Sequence, residues 1–78
     1  MLINVTPEDI TRGVRLSACS CPIALAIKRT TTDSASVTDH TIYIGTRHFA
    51  TPQSVRRFIE YFDDARPVYP FTFILPTE

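Results

Sequence analysis

The sequence has few of the features that announce chemistry. It holds only 2 glycines, and no Gly-rich phosphate loop, nucleophile elbow, H-E-x-x-H or EF-hand pattern occurs in it. Lys and Arg together number 8 and Asp and Glu 8, a formal net charge of zero, so no global field draws it to nucleic acid or an anionic membrane. The same neutrality removes the repulsion that keeps copies apart and leaves a homodimer open. The longest continuous apolar run, Ile23 to Ile27, is far too short to span a bilayer. Met1-Leu2-Ile3-Asn4-Val5 has neither the basic segment nor the apolar length of a signal peptide, so the chain reads as cytoplasmic, with no membrane partner.

Cysteine is equally scarce. Cys19 and Cys21 are the 2 in the chain, and a bridge across one intervening residue would be strained and would close almost no loop. Two free thiols in a reducing compartment is the reading that follows. With His40 and His48 they do not form the C-x₂₋₄-C and H-x₃₋₅-H spacing of structural zinc sites, so no metal or other cofactor is expected. Cys21 just ahead of a predicted helix could feel the positive end of its dipole and become a better nucleophile, and pairing with His40 or His48 would resemble a Cys–His enzyme. A chain of 78 residues without an oxyanion-hole-like glycine segment argues against catalysis, and no catalytic residue is assigned.

What is present is a set of local structure signals. Leu2–Val5 reads as a strand. Thr6 then caps a two-turn helix with Pro7 in its first position, Glu8 and Asp9 in its first turn, Arg12 in its last and Gly13 as the stop. After an irregular stretch from Val14 to Ser20, Ser20 or Cys21 caps a second helix opening on Pro22. Ile23 and Ile27 share one face of it, and Ala24 and Ala26 permit close approach. Thr30 to Ser36 is polar and reads as a surface loop; Val37-Thr38 could begin a strand, Asp39-His40 a turn, and Thr41–Ile44 is a strand by its β-branched and aromatic content. Gly45 ends or bends it, and Arg47–Ala50 either continues it past a bulge or leads as a loop to the next helix.

The clearest element is the helix from Pro52 to Asp63 or Asp64, capped by Thr51, in which Val55, Phe58, Ile59 and Phe62 fall on one face. The acidic pair at its end opposes the helix dipole and should loosen the last turn. Arg66–Pro70 is a stiff connector, and a final strand follows with Phe71, Phe73 and Leu75 on one face.

These elements predict one α+β domain spanning 1–78, with a small antiparallel or mixed sheet of three to four strands covered by two helices. The expected core is Ile3, Val5, Ile10, Ile23, Leu25, Ile27, Ile42, Ile44, Val55, Phe58, Ile59, Phe62, Phe71, Phe73 and Leu75. The residues left for contact with a partner are Arg56, Arg57 and Glu60 on the last helix, with Tyr43, Tyr61 and Tyr69 as aromatic anchors. Arg47 would join Arg56, Arg57 and Tyr43 in a basic and aromatic patch if the fold brought them together, and a nucleic-acid-binding regulator is the alternative that such a patch would serve. Against it, Thr41 to Ala50 lacks the K/R-G-F/Y-x-F-x-F pattern of an RNA-recognition sheet. A small metal- or thiol-active protein is the remaining alternative.

Four stretches together resemble a group of small bacteriophage- and prophage-encoded proteins: Val5-Thr6-Pro7-Glu8-Asp9-Ile10 with Gly13; Cys21-Pro22-Ile23-Ala24-Leu25-Ala26-Ile27; Pro52 with Val55, Phe58, Ile59, Phe62 and Asp63; and Pro70-Phe71-Thr72-Phe73-Ile74-Leu75. That group has no assigned activity, so no functional residues carry over from it. The resemblance implies a viral setting, in which a short protein acts in the host cytosol by docking onto a host protein or complex. A host defence complex such as a CRISPR effector is the obvious class of target.

Overall fold

In the computed structural model, which describes residues 1–76, the chain runs β1 (Leu2–Val5), α1 (Pro7–Arg12), α2 (Pro22–Thr31), β2 (Ala35–Val37), β3 (Thr41–Ile44), β4 (Arg47–Ala50), α3 (Gln53–Asp63) and β5 (Phe71–Ile74). The fold is α+β, and all its strand pairs are antiparallel. β2, β3 and β4 form a 3-stranded meander, while β1 and β5 form a 2-stranded ribbon that joins the two ends of the chain.

Helix α2 lies at the centre, packed against α1, β1 and β2. It can do so because its sequence is apolar on several sides and small where neighbours come closest: Pro22, Ile23, Ala24, Ala26 and Ile27 are all buried. The Cys21 Sγ caps it by accepting from the Ala24 N–H at 3.4 Å. Leu25, expected in the core, is half-buried and lies outside the buried cluster, since its position on the helix points away from the Ile23–Ile27 face. Ala35 and Val37 of β2 take up core positions instead. The other expected core residues are buried or packed against the core, with Ile10, Ile59, Phe62 and Phe71 at its margin.

Three local expectations are corrected. Helix α2 continues through Thr31 and ends on Thr32 in the left-handed region (φ 61°), so the polar run is half helix; Thr30 and Thr31 return their hydroxyls to the carbonyls four residues back and stay helical. Strand β2 accordingly starts at Ala35, not at Val37. Arg47–Ala50 neither continues β3 nor forms a loop. It folds back on β3 through the two-residue turn Gly45-Thr46, for which Gly45 supplies φ 58°. The N-cap of α3 is Pro52, without a side-chain cap, because the Thr51 hydroxyl is used on the Thr38 carbonyl at 2.9 Å.

The first helix is held by its one buried charge. Thr6 and Asp9 form a reciprocal capping box, and Arg29 of α2 reaches both Asp9 oxygens while donating to the Asn4 carbonyl of β1 at 2.8 Å. A single guanidinium thus ties α1, α2 and β1 together. Burial alone would push the Asp9 carboxyl up; the hydrogen bonds from Arg29 and Thr6 outweigh it and hold the group below its ordinary value. Because the folded state lowers this pKa, its stabilising contribution is present above the ordinary value of 3.8 and is lost as pH falls below it. Arg29→Ala should destabilise the fold by about 2 kcal/mol at neutral pH, less than for a fully buried pair because the arginine is half exposed. Asp9→Asn should flatten the acid limb of the stability–pH profile, as read by urea unfolding between pH 3 and pH 7.

The two glycines are required for different reasons. Gly13 ends α1 with φ −64°, a conformation open to any residue, but a Cβ there would stand 2.5 Å from the Pro22 ring. Gly45 has space around it and needs only its positive φ. Gly13→Ala should therefore cost about 2 kcal/mol by forcing α1 off the start of α2, against about 1 kcal/mol for Gly45→Ala. Equilibrium denaturation of the two variants would compare them directly.

Candidate functional site

Helix α3 has one apolar face, and that face is held by aromatic contacts. Phe58 lies 5.1 Å from Phe71 between ring centroids and stacks on Phe62 at 6.2 Å, and Phe71 continues to Phe73 at 5.8 Å. Val55 is fully buried beside them. The flanks of the helix on either side of that face border two depressions.

The larger depression is a cleft of about 760 Å³ between α3, the end of β2 and the 13–20 loop. Arg56, Glu60 and Asp63 of α3 and Arg66 just beyond it line one wall, and Leu16, Ser17 and Ala18 of the 13–20 loop line another. Asp63 spans the cleft by accepting from the Leu16 N–H at 2.9 Å, so the carboxylate expected to loosen the helix end has a structural partner. Leu16 adopts φ 59° and is 83% exposed. A leucine in the left-handed region costs on the order of 1–2 kcal/mol, and here its side chain recovers none of that by burial. Arg56 Nε donates to the Asp39 carbonyl at 3.1 Å, fixing the third side.

The second depression is a shallow, mostly apolar groove lined by Arg57, Phe58, Tyr61, Tyr69, Pro70 and Phe71, among others. Tyr61 borders both depressions. Its ring lies under the Arg66 guanidinium, 5.3 Å from the centroid, and Arg66 is itself held by Asp64 at 2.9 Å. Tyr69 projects from the connector, 74% exposed.

Of the expected contact residues, Arg56, Glu60 and Tyr61 come together on the cleft, and Arg57, Tyr61 and Tyr69 on the groove. Tyr43 and Arg47 line neither. Tyr43 faces His48 across the β3–β4 hairpin with ring centroids 6.4 Å apart, and the Arg47 guanidinium lies 5.7 Å from the Phe49 ring centroid. Arg56 and Arg57 turn to different depressions, as consecutive helical residues must, so Arg47, Arg56 and Arg57 do not share one with Tyr43. Leu16 was missed. A single leucine in a polar, irregular stretch carries no periodicity from which its exposure could be read.

The thiols separate cleanly. Cys19 is exposed and Cys21 buried. Burial pushes the Cys21 thiol up and outweighs the backbone N–H groups at the start of α2, which lower it, and the Asp63 carboxylate adds a lesser upward push. The pull of the helix start on Cys21 is thus outweighed by burial, and the thiol is not activated by its position. His40 and His48 are both exposed, and among the described residues no group of three or more His, Cys, Asp and Glu side chains gathers as a metal site. No helix among those residues is long and apolar enough to cross a membrane.

No protein-family model matches the chain, and no curated protein or solved structure matches it. The chemistry of the thiols gives a direct check. With a colorimetric disulfide reagent at pH 8, Cys19 should react at once and Cys21 only at the rate of unfolding. Mass mapping of the labelled peptides would distinguish them.

Proposed function

We propose that the protein is a small phage-type accessory protein that acts in the host cytosol by binding another protein through the open side of α3. The target is a host protein or complex, and a defence complex such as a CRISPR effector fits the setting that the sequence motifs suggest. One observation carries the reading: Tyr61, ordered by Arg66, stands between two depressions, with the exposed side chains of Leu16 and Tyr69 beyond them. Tyrosine and arginine are the residues in which binding energy concentrates at protein interfaces, because both offer large contact area together with a polar end. The charges around the cleft are mixed in sign with the acidic groups in excess, Arg56 and Arg66 against Asp39, Glu60, Asp63 and Asp64. Such a rim suits recognition of a protein surface better than of a polyanion. Leu16 supports the same reading, since its backbone N–H serves the fold by bonding Asp63 while its exposed side chain benefits the isolated fold in no visible way.

Leu16 also gives the sharpest test. Leu16→Gly removes backbone strain, so thermal stability should stay level or rise, while affinity for the partner should fall. Tagged wild-type protein, Leu16→Gly and Tyr61→Ala with Tyr69→Ala would be passed over host lysate with and without nuclease. The expected outcome is a nuclease-resistant protein retained at near-stoichiometric yield by the wild type and lost by both variants. Equal retention by all three would refute the assigned surface, and loss of every partner on nuclease treatment would move the reading to nucleic acid.

A further inference from the structure

The hydrogen bonds allow each strand edge of the two sheets to be followed. Met1 and Leu75 exchange both bonds, at 2.7 and 2.9 Å. Antiparallel alternation then turns the backbone polar groups of Leu2 and Asn4, and of Thr72 and Ile74, outward from the ribbon. On β1, the Asn4 carbonyl is taken by Arg29. On β5, the next outward positions on either side are Pro70 and Pro76, which have no N–H to offer, and prolines so placed blunt an edge. In the meander, Gly45 N to Ser34 O at 3.0 Å and Thr38 N to Thr41 O at 2.9 Å turn Ala35 and Val37 of β2 outward, and the Val37 N–H is taken by the Ala18 carbonyl at 2.8 Å.

β4 is different. The tight turn at Gly45-Thr46 and the bond from Thr51 N to His40 O at 3.0 Å make His48 and Ala50 its outward positions. Neither finds a partner there among the described residues. The strand itself carries no proline and no lysine.

We propose that this edge pairs with β4 of a second copy of the chain, antiparallel about a two-fold axis at Phe49. The register is self-complementary. It sets His48 opposite Ala50 of the second copy and Ala50 opposite its His48, so the outward N–H and C=O groups of both residues are satisfied at once. It also places the two Phe49 rings opposite each other in a non-hydrogen-bonded pair, where side chains approach closest. Each Arg47 then stands opposite a Thr51 of the other copy, which keeps the two cations apart. On the other face, Ala50 is small enough to lie beside His48 and Tyr43. Net neutrality leaves no long-range repulsion to oppose the pairing. The contact is short, so the dimer should form reversibly as concentration rises.

Sedimentation equilibrium on the full chain tests this, with amide exchange by NMR in parallel. The expected result is a mass rising from 8.8 kDa toward twice that value with concentration, with the His48 and Ala50 amides becoming protected as it does. Ala50→Pro removes only an outward donor and leaves the β3–β4 bonds intact, and it should weaken the dimer by about tenfold or more. His48→Lys, which keeps every backbone bond and places a cation beside the symmetry axis, should weaken it as well and covers the case in which the proline variant does not fold. A wild type that stays monomeric to millimolar concentration would overturn the proposal. So would a dimer whose dissociation constant neither variant changes, or one whose new protection falls on Thr72 and Ile74.

Discussion

The structure depends on enclosing one helix. In a chain of 78 residues the core is small, and a helix can sit inside it only if its neighbours come close on more than one side. Helix α2 meets that condition with Ala24 and Ala26 beside Ile23 and Ile27, all buried, and the rest of the chain is arranged around it. Gly13 lets the end of α1 lie against Pro22 without a side chain between them. Cys21 closes the helix start with a sulfur that is itself part of the core. At the other end, Arg29 leaves α2 for Asp9 and Asn4, so the helix that is most enclosed also carries the ion pair that fixes its neighbours.

The placement of α3 follows from this. With the centre filled, α3 can cover only the margin, and it does so with a single aromatic face. Its attachment runs through Phe58, Phe62 and Phe71, and its polar side meets the 13–20 loop across a cleft that side chains bridge without filling. The open surface is therefore a consequence of the core's small size. The residues that line it, Arg56, Glu60 and Tyr61 on one side and Arg57 on the other, are those that a one-faced helix leaves outside.

Much of this was legible in the sequence because it is local. Thr6-Pro7 and Cys21-Pro22 place two helix starts, β-branched content places β3, and the spacing of Val55, Phe58, Ile59 and Phe62 gives both α3 and the side it buries. The errors came where a local signal had two uses. Thr51 could cap a helix or bond a neighbouring strand, and the fold uses it on Thr38. Gly45 could bend a strand or reverse it, and only the pairing of Ile42 with Phe49 decides. Gly13 looked like a conformational stop and is a packing residue. The site was legible by composition but not by geometry: the tyrosines and arginines could be named, yet Arg56 and Arg57 separate into two depressions, and Leu16 gave no sign of its exposure.

The position of Leu16 links the fold to the surface. Its left-handed backbone is unfavourable, and the bond from its N–H to Asp63 offsets part of that while also satisfying a carboxylate at the wrong end of a helix dipole. Two locally unfavourable features, a strained leucine and an acidic helix end, are thus made compatible by each other. Only one of the two side chains is needed for this. Removing the Asp63 carboxylate would leave the loop without the contact that holds it across the cleft, whereas removing the Leu16 side chain would leave that contact in place. The backbone of the 13–20 loop therefore belongs to the architecture, together with α3. The exposed leucine side chain does not, and it is the part of the cleft rim that is free to serve something outside the chain.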